Sequence, residues 1–236
     1  IQKNFTKEVV TDGSTGIFLI DDEFVADGSV NLIKAYGRLK ALLRSGRQLT
    51  VEDIENVRRD AMDTVVVGDG KIISSPVRYK KRSDRARFPR GFRGLHKQVE
   101  RKLEQFGYSV QQSQSHVTIG YNDRVKENLA NYVERLNQMI ANGDNLAETV
   151  VFAIQDFLII HPFNNGNGRT ARAIGQALIE YVSGHSIVFP KQFHREMNYA
   201  PKGLVDALVT ANPWMKDLTI NPSPALVHAP AAGEQL

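Results

Sequence analysis

The stretch HPFNNGNGRTAR, running from His161 to Arg172, decides how this chain is read. Gly166, Asn167 and Gly168 let main-chain amides turn inward at the point where a helix begins, and helix N-termini and such nests bind phosphate. Arg169 and Arg172 lie three apart and share that helix's face, so both guanidiniums are expected to reach one polyphosphate. A departing pyrophosphate would be stabilised there. His161 stands across the loop from the anion site, where an imidazole titrating near neutrality can accept a hydroxyl proton. Pro162 and Phe163 fix the turn and anchor it in the core. A lone histidine after an apolar helix is more often structural, and an isolated arginine pair is more often surface charge. Here the histidine, the glycine loop and both arginines occur together within twelve residues.

Outward from the loop, the apolar residues fall at helical spacing. Just before it, Val150, Val151, Ile154, Phe157 and Leu158 give a helix apolar nearly all round, expected to be central and buried, with Asn145 and Glu148 as its capping box. Before that, Val125, Leu129, Tyr132, Val133, Leu136 and Ile140 line one face of a helix that Gly143 ends. After the loop, residues 170–182 read as helix, Gly184 ends it, and further helix signals lie between Glu196 and Val209. Val117, Ile119 and Tyr121 alternate with Thr118 and Gly120, as a half-buried or edge strand would.

Further upstream, Leu32, Ile33, Tyr36, Leu39, Leu42 and Leu43 predict a helix stopped by Gly46. Thr50 and Asp53 start a second one, through about Asp63, and the two are expected to pair antiparallel. Asp69-Gly70 sits between β-branched runs and predicts a hairpin. Residues up to about Phe24 read as extended or irregular.

The 236 residues suffice for a full core, and 42% hydrophobic with 24% charged residues is ordinary for a soluble globular protein, which excludes a disordered chain. There is no cysteine, so disulfides and thiolate metal sites are excluded. No apolar run approaches the ~20 residues that span a bilayer, so no membrane partner is expected. The chain opens on Ile1, which suits a domain cut from something larger. A net charge of +4 hides an asymmetry: residues 78–102 hold eleven Lys and Arg against Asp84 and Glu100. A solvated basic loop is the commoner meaning of such a block, ahead of a surface for an acidic partner. Its first half reads as loop, and helix begins at Leu95 and runs to Phe106.

The string from His161 to Arg172 resembles the signature of the Fic family, His-Pro-Phe-x-(Asp/Glu)-Gly-Asn-(Gly/Lys)-Arg-x-x-Arg, at every fixed position except the carboxylate, where Asn165 stands. The resemblance is carried over residues 117–188. It implies a mainly α fold, a Fic-type helical bundle with a small β-hairpin flap next to the active-site loop. Residues 1–110 form an N-terminal helical or irregular region of unassigned role, residues 111–220 the Fic core, and residues 221–236, rich in proline and alanine, a disordered tail.

By the same resemblance the chain is a nucleotidyltransferase, a protein adenylyltransferase that moves AMP from ATP onto a Ser, Thr or Tyr hydroxyl of a target protein with release of pyrophosphate. His161 is its catalytic base, Gly166, Asn167, Gly168, Arg169 and Arg172 bind the phosphates, and Val117, Thr118, Ile119, Gly120 and Tyr121 form the flap that docks the target by strand addition. ATP is the donor and Mg²⁺ the ion. Asn165 is the metal-ligating candidate, but a neutral amide contributes no charge, so Mg²⁺ should be held weakly. This leaves AMP transfer with a loosely held ion as the favoured reading, beside transfer of UMP or phosphocholine, or nucleotide binding without transfer. The expected setting is that of a bacterial effector or toxin acting on a host protein in the host cytosol, with nucleic acid disfavoured as a partner. Many Fic proteins restrain themselves with (Ser/Thr)-x-x-x-Glu-(Gly/Asn). Thr50 with Glu55-Asn56 has one residue too many, which turns the threonine about 100° off the required face, so no self-inhibition is expected.

Overall fold

A computed structural model describes residues 28–62, 65–66, 72–73, 77–88, 95–112 and 117–221. The opening stretch up to Phe24, the Asp69-Gly70 turn and residues 222–236 lie outside the described residues. The chain is mainly helical, in keeping with the fold class expected from sequence.

Helix α1 (Gly28–Arg44) turns Leu32, Ala35, Leu39 and Leu43 into the core and leaves Ile33 48% exposed, so the apolar stripe is narrower than the sequence pattern suggested. Helix α2 (Val51–Ala61) starts at the Thr50–Asp53 capping box, both of whose hydrogen bonds form. Strands β1 (Val65–Val66) and β2 (Ile72–Ile73) pair antiparallel as the two arms of the expected hairpin. Next come β3 (Arg85–Phe88), α3 (Lys97–Gln105), β4 (Ser109–Gln112) and β5 (Val117–Gly120). Helices α4 (Val125–Asn142), α5 (Leu146–Ile160), α6 (Asn167–Ser183) and α7 (Pro201–Ala211) complete the bundle.

Helix α5 is the hub. It packs most extensively on α6 and also on α4 and α7, and α6 is covered on another face by α1 and α2. Gly175 permits the close approach of α6 to α5, since a Cβ there would lie 2.6 Å from Ile154 Cδ1. Each fully buried Leu, Ile or Phe contributes about 1.5–3 kcal/mol, so this shared core dominates the stability of the bundle. Ion pairs bind the layers together: Arg38 with Asp60 joins α1 to α2, Lys40 with Glu180 at 2.6 Å joins α1 to α6, and Lys102 with Asp156 joins α3 to α5. The main apolar cluster draws on residues from Leu32 to Ile220 and so takes members from both sides of residue 110.

Strands β3, β5 and β4 form an antiparallel sheet in that order, with Ile119 opposite Ala86 on one side and Val110 on the other. The sheet, α3 and the end of α5 share a second apolar cluster that includes Val99, Leu103, Tyr108, Ile119, Tyr121 and Ile159. Residues 85–88 read as loop in the sequence but are strand, because β5, some thirty residues away, supplies their hydrogen-bond partners. Helix α6 starts at Asn167, three residues ahead of the Thr170 read from sequence. The signals from Glu196 onward divide into a 3₁₀ turn at Glu196–Asn198 and then α7, which opens on Pro201 at its first position. Among the described residues, no helix is long and apolar enough to cross a membrane.

Candidate active site

His161 caps the C-terminus of α5 in the left-handed conformation, φ 47° and ψ 55°, and its N–H donates to the Phe157 carbonyl at 2.8 Å. It is the one non-glycine residue with positive φ among the described residues. That backbone costs about 1–2 kcal/mol, and Pro162 explains part of it by barring the right-handed helical region to the residue before it. The ring packs beside Tyr121, with centroids 6.3 Å apart. Burial, and then the nearby Lys80 ammonium, pull its pKa down from 6.5 to about 4, against a hydrogen bond to the Leu158 backbone that favours the charged form. At neutral pH His161 is therefore a neutral imidazole. A neutral imidazole can accept a proton.

The loop after it is fixed from three sides. Phe163 is fully buried against Phe157 and Tyr79. The Asn167 side chain closes the turn on itself, accepting from the Phe163 N–H at 3.0 Å and donating to the Phe163 carbonyl at 2.7 Å. The segment 78–80 lies antiparallel beside the loop, with Lys80 N–H donating to the Pro162 carbonyl at 2.8 Å and Asn164 N–H to the Arg78 carbonyl at 3.0 Å. From α2, the Arg58 guanidinium donates to the Asn165 side-chain oxygen and lies over the Phe163 ring, 6.0 Å from its centroid.

Gly166 is the N-cap of α6 at φ 78°, with no side-chain capping bond. The first intrahelical bond runs from Thr170 N–H to the Gly166 carbonyl, so the N–H groups of Asn167, Gly168 and Arg169 precede it at the helix start, where the sequence placed an anion cradle. A Cβ at Gly166 would meet Met62 Cγ at 2.7 Å, so glycine is required both for the backbone angle and for the approach of α2.

The two arginines take different partners. Both are on α6, but Arg169 turns toward the end of α2, where it meets the Ala61 carbonyl and the Met62 sulfur at 3.3 Å. Arg172, 2% exposed, donates to Glu196 at 2.8 Å, to the Phe193 carbonyl at 2.8 Å and to the Gly168 carbonyl at 3.0 Å. A buried cation must find acceptors, and Arg169 meets some at the end of α2 while Arg172 meets others on α6 and at residues 193–196. Breaking the Arg172–Glu196 pair from one side would cost about 3–5 kcal/mol, which makes it a structural tie between α6 and the turn at 196–198. Glu55, the near-match to a restraining glutamate, instead accepts from the Tyr79 hydroxyl.

The flap expectation changes. Residues 117–120 are a strand, but β5 is the central one, paired on both edges and largely buried, so it has no free edge to offer a target. Tyr121 lies beneath His161, 4% exposed, and faces the core. The outer edges of the sheet belong to β3 and β4.

As arranged, the residues do not fit a Mg²⁺ site. The Asn165 oxygen expected to ligate the ion already accepts from a guanidinium, which would repel a cation. No group of three or more metal-binding side chains occurs among the described residues.

Sequence reading missed Arg58, Lys80, Met62 and Glu196. Arg58 carried a signal, since it falls with Ile54, Val57 and Ala61 on the apolar stripe of α2, where an arginine must have a buried partner. Glu196 had none, because nothing local ties it to Arg172.

No curated protein matches the chain. The sequence model described as the Fic/DOC family matches residues 48–179, reaching well upstream of the part in which the resemblance was read. That match spans more than half of the 236 residues, and the chain belongs to the Fic/DOC family, whose members generally transfer AMP or other phosphate-linked groups to targets.

Proposed function

We propose that the chain is a protein adenylyltransferase that moves AMP from ATP to a Ser, Thr or Tyr hydroxyl of a target protein. The observation that carries this reading is a neutral imidazole held at the end of α5, five residues before a helix N-terminus whose amides have no side-chain cap. His161 takes the hydroxyl proton, and the hydroxyl oxygen forms a bond to the α-phosphorus. The bond from that phosphorus to the bridging oxygen breaks, and pyrophosphate leaves with the electron pair. The N–H groups of Asn167, Gly168 and Arg169 are set to receive phosphate oxygens, and the Arg169 guanidinium adds positive charge beside them. Asn167 acts through its side chain as the clasp of the loop. The role of Arg172 in this reading is to hold α6 in register through Glu196.

The test is incubation with ATP labelled at the α-phosphate and a cell lysate, followed by mass spectrometry of the modified protein. An adduct with the mass of AMP is expected, and His161→Ala should lower the labelling rate by about 10²–10⁴-fold. A UMP or phosphocholine adduct would replace the donor in this reading. Tight nucleotide binding with no adduct would leave a binding protein in place of an enzyme.

A further inference from the structure

Beside the loop, on the side of segment 78–80, opens a cleft of about 1070 Å³. Five cations line it, Arg78, Lys80, Lys81, Arg82 and Lys126, against the carboxylates of Asp84 and Asp123. Arg78, Lys81, Arg82 and Lys126 are exposed, and among the described residues no carboxylate forms a salt bridge with any of them. Asp84 is occupied by its own turn, where it accepts from the Lys81 N–H at 2.7 Å. The five cations of the lining therefore outnumber its two carboxylates, and the cleft carries an excess of positive charge.

Position gives this charge its meaning. Asn164 of the loop lines the cleft, and Lys80 both lines it and lies close enough to His161 for its charge to act on the ring. No residue of the phosphate cradle, 166–172, lines it. The cleft thus adjoins the catalytic histidine but is separate from the place where the donor's phosphates would rest. Segment 78–84 leads directly into β3, whose outer edge is unpaired among the described residues. The neighbourhood suits an extended chain.

We propose that this cleft docks an acidic, extended segment of the protein that is modified, with carboxylates flanking the hydroxyl presented to His161. The proposal rests on the transferase reading and adds the chemistry of the partner to it. An oligonucleotide fits less well, for two reasons. Tyr79, the aromatic in the lining, is tied to Glu55 and packed on Phe163, so it offers no face for a base. Asp84 and Asp123 would also repel a continuous run of phosphates. Unscreened cations around a cleft raise association rates and make them salt-dependent, which gives the proposal a measurable signature.

The test uses the whole chain and a fluorescein-labelled peptide of alternating Glu and Ser, with the Gln-Ser peptide and a single-stranded oligonucleotide of equal charge as comparisons, followed by anisotropy. The Glu-Ser peptide should bind at least about tenfold more tightly than the Gln-Ser peptide, and added salt should weaken it. The variant carrying Arg78→Glu, Lys81→Glu and Arg82→Glu should lose that advantage while keeping the melting temperature and ATP affinity of the parent, and should label lysate proteins at least about tenfold more slowly. Equal binding of the two peptides, tighter binding of the oligonucleotide, or unchanged labelling by the charge-reversed variant would each overturn the proposal. If the parent chain labels nothing but still binds the Glu-Ser peptide in a charge-dependent way, the transferase reading fails and the docking surface stands.

Discussion

His161 is kept in its proton-accepting form by burial and by Lys80, so its titration is a direct check of the site. Followed by NMR, the ring should titrate well below 6.5, toward 4, and Lys80→Gln should move that midpoint upward by removing the neighbouring cation. A ring that titrates at 6.5 in both proteins would refute this account of the base. The same shift has a consequence for stability. The unfolded chain binds this proton near 6.5 and the folded chain near 4, so the contribution is full above 6.5 and is lost as the pH falls through that window. At this scale the sequence was legible in the histidine and the glycine turn, which follow from neighbours within a few residues, while the start of α6 lay three residues ahead of the one read. Lys80 was legible only as one more charge in a basic block.

Between elements, the informative contact is Arg58 of α2 with Asn165 of the loop before α6. Where the family signature has a carboxylate, this chain has an amide that accepts from a buried arginine. Asn165→Asp would therefore create an ion pair with Arg58, half of it on the exposed loop, in place of a metal ligand. The expected outcome is a fold at least as stable in urea and an unchanged Mg²⁺ requirement for labelling. In the Arg58→Met background the same substitution should lower that requirement, because the new carboxylate is then available to a cation. A lower requirement in the single variant would show that the guanidinium does not hold the position. Burial and desolvation lower the proton affinity of Arg58, a cost that its position under the loop imposes. The sheet teaches the same lesson: alternation marked residues 117–121 as a strand, but its central position depends on β3 and β4, which the alternation could not reveal.

For the whole molecule, α1 lies upstream of the family match, which starts at residue 48, but it covers α6 with Leu32, Ala35, Leu39 and Leu43. Removing it would expose those contacts, with a loss on the order of 5–10 kcal/mol, comparable to the whole stability of a domain. A chain beginning at residue 48 is therefore expected to unfold or aggregate at temperatures where the longer chain melts cooperatively, as circular dichroism would show. A truncated chain with an undiminished melting temperature would mean that α1 is an appendage. Sequence by itself determined the helical bundle, its caps and the family to which the His161 loop belongs, because those rest on periodicity and on residues adjacent along the chain. The tertiary structure alone decided what each charged group faces: Arg58 on Asn165, Arg172 on Glu196, Lys80 beside His161. Those pairings join residues from 24 to 107 positions apart, or act through space without a bond, and a local pattern carries no record of such distances.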